Sequence, residues 1–248
     1  MIILKSKEEV AKIAKASRIV AESLEAVKTY LKPGMTTKEI DKFVEKQIRE
    51  RGGVPAFKGY RNYPATICIS VNEEVVHGIP SDRVIKEGDI VGLDLGAIYD
   101  GFYGDSAVTV AVGEISPEAQ RLIQVTQESL YAGIEQAREG SRLSDISHAV
   151  QAHVEKAGFS VVTDFVGHGI GRALHEEPQV PNFGPPGRGP RLREGMVLAI
   201  EPMVNMGKPA VRVLDDHWTA VTVDGSLSAH FEHTIAITKE GPVILSQL

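Results

Sequence analysis

The chain has a single cysteine, Cys68, and therefore no internal disulfide. A lone thiol fits a reducing compartment, so the expected location is the cytoplasm. No stretch approaches the ~20 apolar residues that a membrane-crossing helix needs, and no membrane partner is expected. The amino end reads MIILKSKEEVAKIAK, with charge recurring from Lys5 onward, which is unlike a secretory leader. Basic runs are missing too. Lys and Arg number 27 against 33 acids, a net charge of −6, so a DNA or general nucleic-acid surface is not expected. Low-complexity linkers are also absent, and the only Pro/Gly-rich stretch, residues 183–190, reads as an irregular surface loop. What remains is an ordinary globular composition of 42% hydrophobic and 24% charged residues in 248.

The apolar pattern has a helical period over residues 7–31, closed by Pro33-Gly34. Thr36-Thr37-Lys38-Glu39 resembles a capped start for a second helix, with Ile40, Phe43, Val44 and Ile48 on one face up to Gly52-Gly53. The period then changes to two, predicting strands near 65–71, 89–99 and 103–112. The scheme restarts with a helix from Ser116-Pro117-Glu118 to about Arg138 and another from Ser144-Asp145 to Lys156. Strand-like runs follow at 159–166, 195–204, 211–213, 218–224 and 229–238. Gly34, Ile40 and Val44 recur as Gly140, Ile146 and Val150 at a constant offset of 106. The expectation is one α+β domain over 1–248 with pseudo-symmetric helix-helix-strand halves, about 1–113 and 114–248.

Four acids sit where acids are costly. Asp94 interrupts an otherwise apolar strand, and Asp105 lies on the run that follows. Asp100-Gly101 between them is a two-residue hairpin turn signal. With that turn Asp94 faces Ala107, and Asp105 is its diagonal neighbour on the same face, about 7–8 Å away between Cα atoms. Glu201 and Glu232 repeat the oddity in strands rich in Ile, Val and Ala. Burying ionised carboxylates unpaired costs several kcal/mol or forces protonation. These segments contain no Lys or Arg. Two divalent cations would balance the four, and hard oxygen donors suit such ions.

Histidine is the natural companion ligand. Glycines flank His168, His175 follows seven residues later, and His77 lies just past a predicted strand. His148, His153 and His217 read as ordinary surface residues, and Cys68 alone reads as a small packed one. Two tempting motifs fail. His175-Glu176-Glu177-Pro178-Gln179 lacks the second histidine of the helical zinc motif, and Gly167, Gly169 and Gly171 have the wrong spacing for dinucleotide binding.

In order, His77, Asp94, Asp105, His168, His175, Glu201 and Glu232 match the site of the methionine aminopeptidases. The strings VVHGIP, LDLGAIYDGFYGD, GHGIGRALHEEP, AIEPMV and FEHT resemble that family over nearly the whole chain. The resemblance implies a pita-bread fold around a dinuclear site. It implies that Asp94 chelates one metal, Asp105 and Glu232 bridge both, and His168 and Glu201 complete the second. The ions would be cobalt, manganese, iron or zinc. Glu201 would be the general base, with His77 and His175 bonding the substrate amide.

Tyr60, Tyr63, Cys68 and Trp218 match positions lining the methionine pocket, with Phe57 near the same wall. Leu174 stands where the family commonly has an aromatic residue. The 25 residues between His175 and Glu201 and the nine before Val10 fit the minimal type I form. Its substrates would be peptide and nascent-chain amino ends with a small second residue, met as a monomer with at most transient ribosome contact. The alternatives are an X-Pro peptidase of the same fold, whose members usually carry a further amino-terminal domain, and a binding module that has lost its ligands.

Overall fold

A computed structural model describes all residues, 1–248. Helix α1, Lys7–Tyr30, begins where the Ser6 hydroxyl accepts the Glu9 N–H while the Glu9 carboxylate accepts the Ser6 N–H. This reciprocal cap satisfies two orphan amides of the first turn. Thr36 and Glu39 make the same cap for α2, Thr37–Glu50. Five strands follow: β1 Val54–Pro55, β2 Ile67–Val71, β3 Glu74–Val76, β4 Ile90–Tyr99 and β5 Phe102–Ala111. The second half opens with α3, Pro117–Gln136, and α4, Leu143–Lys156. Ten short strands complete it: β6 Ser160–Val161, β7 Gly167–Gly169, β8 Glu176–Val180, β9 Val197–Ile200, β10 Met203–Asn205, β11 Val211–Val213, β12 Ala220–Thr222, β13 Ser228–His230, β14 Glu232–Thr238 and β15 Gly241–Ile244.

The main sheet runs in the order β1-β4-β5-β14-β9-β7-β8, with β2 added on β4 and β15 on β14. It joins strands of both halves. Two smaller sheets, β13-β10-β6 and β11-β12-β3, flank it. Buried Ile19, Val20, Leu24, Ile40, Val44 and Ile48 of α1 and α2 pack on β2 and β4 in one apolar core. The α3 and α4 side chains Leu122, Leu130, Ile146 and Val154 pack on β9 and β14 in the other. Each fully buried aliphatic of this size contributes about 1.5–3 kcal/mol of transfer free energy.

The halves echo each other in backbone hydrogen bonds. Gly34 N–H donates to Ile85 O and Gly140 N–H to Leu192 O; Ile85 N–H returns to Met35 O and Leu192 N–H to Ser141 O. Isolated bridges Thr36–Val84 and Arg142–Arg191 occupy matching places. Helix α4 starts slightly earlier than Ser144-Asp145 suggests, because the Asp145 carboxylate accepts the Arg142 N–H and caps the turn. The run 159–166 is strand only at Ser160–Val161. No helix is long and apolar enough to cross a membrane.

Candidate active site

The β4–β5 hairpin turns at Asp100-Gly101, both at positive φ, with Tyr99 opposite Phe102 and Asp94 opposite Ala107. Asp105 faces Gly96, so the two carboxylates are diagonal neighbours on one face. Glu232 enters from β14, also opposite Ala107. Glu201 follows the last residue of β9, and His168 lies in β7 opposite Ala199. Across five consecutive strands of one sheet the polar residues thus follow the order Asp94, Asp105, Glu232, Glu201, His168, with Glu201 just past the end of its strand.

Donor atoms of Asp105, His168 and Glu232 all lie within 4.8 Å of one another. His168 Nε2 is 3.4 Å from Glu201 Oε1. Asp94 and Glu201 line the same cavity as those three. Asp105 and Glu232 are only 4% and 2% exposed, and Asp105 Oδ1 and Glu232 Oε1 have no hydrogen-bond partner. Buried carboxylate oxygens left this way are costly, so the cluster calls for a cation.

Burial, reinforced by repulsion within the set, pushes Asp105, Glu201 and Glu232 well above the usual carboxylate range. Burial alone pushes Asp94 up to about 7. The same desolvation holds His168 down to about 3. His168 Nδ1 lies 3.0 Å from Gly169 O, and a carbonyl can only accept, so Nδ1 carries the proton. That leaves the Nε2 lone pair facing the carboxylates, which is the tautomer a metal-binding imidazole needs.

The cavity measures about 300 Å³. Its apolar wall is Phe57, Tyr63, Cys68, Phe165, Leu174 and Trp218, with Tyr60 at the rim beside His175. The Tyr63 hydroxyl is held by the carbonyls of Gly78 and Ile67 at 2.9 and 3.1 Å. Its ring meets Trp218 edge-on at 5.0 Å. His77 has φ +62, an uncommon conformation for a non-glycine residue, and its ring packs edge-on against Phe165 and Trp218. A 2.7 Å hydrogen bond joins the Tyr60 hydroxyl to His175 Nδ1. Burial holds both His77 and His175 down to about 4, the latter with help from Arg61. Both imidazoles are therefore neutral at pH 7 and able to donate one hydrogen bond each.

A family model described as Metallopeptidase family M24 matches residues 11–239. The chain belongs to metallopeptidase family M24. This M24 chain is 54% identical to methionine aminopeptidase 1 of Bacillus subtilis over 248 residues, covering 100% of both. The crystal structure of methionine aminopeptidase from Thermotoga maritima superposes with a TM-score of 0.98 at 51% identity, again covering 100% of both chains. A prolidase from Pyrococcus furiosus shares the fold at a TM-score of 0.81 and 25% identity, with 99% of this chain covering 66% of that one.

Every site residue named from sequence therefore borders one cavity. Sequence reasoning missed Arg61 and Phe165 on its wall, and His230 behind it. His230 Nε2 is buried without a partner, 3.8 Å from Glu201 Oε2. Its place two residues before Glu232 was the available signal. Of the histidines read as surface residues, His153 pairs with Glu128 at 3.1 Å, and His148 and His217 are exposed.

Proposed function

We propose that the chain removes the amino-terminal methionine from peptides and nascent proteins, using Asp94, Asp105, His168, Glu201 and Glu232 to hold two divalent metal ions. The observation that carries this is the unneutralised set of four carboxylates, two of them buried, beside a 300 Å³ cavity with an apolar wall. Two divalent cations balance those charges. The mixed oxygen and imidazole donors suit cobalt, manganese, iron or zinc. Bound there, such ions supply Lewis acidity and activate water for hydrolysis.

The protein's own groups do the rest. Glu201 takes the proton of the attacking water as its carboxylate, in reach of the cluster through the 3.4 Å approach to His168. His77 and His175 donate hydrogen bonds to the scissile amide oxygen as negative charge develops there. The methionine side chain lies against Phe57, Tyr63, Cys68, Leu174 and Trp218, with Tyr60 closing the rim. The free α-amine sits beside Asp94, so cleavage is confined to the first residue. A single catalytic unit over 1–248 is supported by the main sheet, which takes strands from both halves. The lone buried thiol supports a cytoplasmic location, and the net charge of −6 supports no more than a transient ribosome contact; the chain acts as a monomer in this reading.

The test strips the metal, restores manganese, cobalt, iron or zinc separately, and offers Met-Ala-Ser beside Ala-Pro-Ala. Release of methionine from the first peptide alone is the expected result. Cleavage of only the proline peptide would move the substrate to the X-Pro class. No cleavage with any metal would point to a binding module.

A further inference from the structure

Residues 170–175 link β7 to β8 and bring Leu174 and His175 to the cavity wall. Glu176, the first residue of β8, governs the shape of that link. Its Oε1 accepts the N–H groups of Arg172 at 2.7 Å and Ala173 at 3.2 Å. The link folds back so that Gly171 N–H donates to Ala173 O at 3.1 Å. The other oxygen, Oε2, pairs with Lys5 Nζ at 2.6 Å, and the two side chains are only 4% and 10% exposed.

Lys5 is itself fixed. Its N–H donates to Gly195 O at 2.7 Å, and Nζ donates to Ile3 O at 3.0 Å. Two positions lack a side chain to make room for it. A Cβ on Gly171 would stand 2.6 Å from Lys5 Cε, and one on Gly195 would stand 2.7 Å from Lys5 O. A second tie runs in parallel, with Arg172 reaching Glu9 Oε1 of α1 at 3.1 Å.

We propose that the buried Lys5–Glu176 ion pair positions His175, making the amino-terminal segment a working part of the catalytic cavity. An exposed ion pair would do little, whereas an enclosed one with its remaining lone pairs satisfied fixes geometry. Three donors hold the Glu176 carboxylate, so the Arg172–Ala173 turn cannot rotate, and the backbone that carries His175 is fixed with it. From the opposite side Tyr60 grips Nδ1, and the ring rests 4.3 Å from the His168 ring between centroids. Release of the anchor lets the imidazole drift, and a misplacement near 1 Å costs on the order of a hundredfold in rate. The proposal rests on His175 bonding the substrate amide.

The test compares Lys5→Met, Glu176→Gln and the double variant with the parent. Metal-loaded enzymes are assayed on Met-Ala-Ser, and histidine-labelled, metal-free proteins are followed by NMR. Lys5→Met is expected to lower kcat roughly tenfold to a hundredfold, with KM within about twofold and metal affinity unchanged. The His175 resonances should move while those of His148 stay. The double variant should be no worse than the poorer single, because one pair is being removed twice. Glu176→Gln keeps an amide oxygen for Arg172 and Ala173 and serves if Lys5→Met does not fold. Parent-like kcat in every folded variant, with His175 resonances in place, would reduce the pair to a structural tie and overturn the proposal. A parent inactive on Met-Ala-Ser would instead sink the functional reading, and the NMR comparison would still decide the positioning.

Discussion

At the scale of single residues, the site was legible because ionised carboxylates in apolar strands demand a compensating charge. Asp94, Asp105, Glu201 and Glu232 each break a hydrophobic pattern, and none finds a Lys or Arg in the fold. Arg61 and Phe165 gave no comparable signal. They lie outside regular strands, and only the packing of distant segments brings them to the cavity. The sharpest residue-level prediction concerns Glu201. Replacing it with Gln removes the proton acceptor at nearly constant volume, so kcat should fall by about 10²–10⁴. Steady-state kinetics beside metal analysis of the same preparation checks this. A variant that keeps its metal and more than about a tenth of the parent kcat would remove Glu201 from the proton transfer.

At the scale of elements, the hairpin that carries Asp94 and Asp105 was readable down to its register, since Asp100-Gly101 fixes the turn and the turn fixes every pair behind it. Strands β8 and β15 were not, because Pro178 and Pro242 argue against strands. Each pairs on one side only, β8 with β7 and β15 with β14, and such edges tolerate proline. Two glycines of the hairpin yield contrasting predictions. Gly101 has φ +75 and open space around it, so Gly101→Ala should cost about 1 kcal/mol through backbone strain alone and leave kcat unchanged. Gly104 lies under α1, where a Cβ would stand 2.4 Å from Ser17 N and 2.6 Å from Ser17 Cα. Gly104→Ala must push α1 off β5, at a cost of at least about 2 kcal/mol, and should also lower kcat because Asp105 is the next residue. Urea melts with parallel kinetics separate the two. A reversed order of cost would mean that the contact between α1 and β5 yields more easily than its geometry implies.

At the scale of the whole molecule, the repeat legible as three matched residues reappears as matched hydrogen bonds of the two helix starts, and the halves meet where the five polar residues gather. Closing a sheet around four carboxylates has a consequence for the metal-free protein. Folding raises these groups above their unfolded values, Asp94 to about 7 through burial alone and the other three well above the usual range through burial and repulsion within the set. The carboxylates make the folded state bind extra protons above pH ~4, but burial holds His77, His168, His175, His230 and His233 down to about 3 or 4, and these oppose the carboxylates up to the unfolded histidine value. Metal-free stability must therefore fall as pH rises above about 6.5, where only the carboxylates still titrate. Metal binding acts in the opposite sense. The carboxylates must be ionised to bind a cation, so loading near neutral pH should release protons and cancel the repulsion. The melting temperature of the metal-free protein should thus drop between about pH 6.5 and pH 8, and saturating metal should raise it more at the upper end. Titration calorimetry in buffers of different ionisation enthalpy counts the released protons directly. Heats that do not depend on the buffer would mean that the four carboxylates are already ionised before the metal arrives, and that some group other than a cation neutralises them inside the sheet.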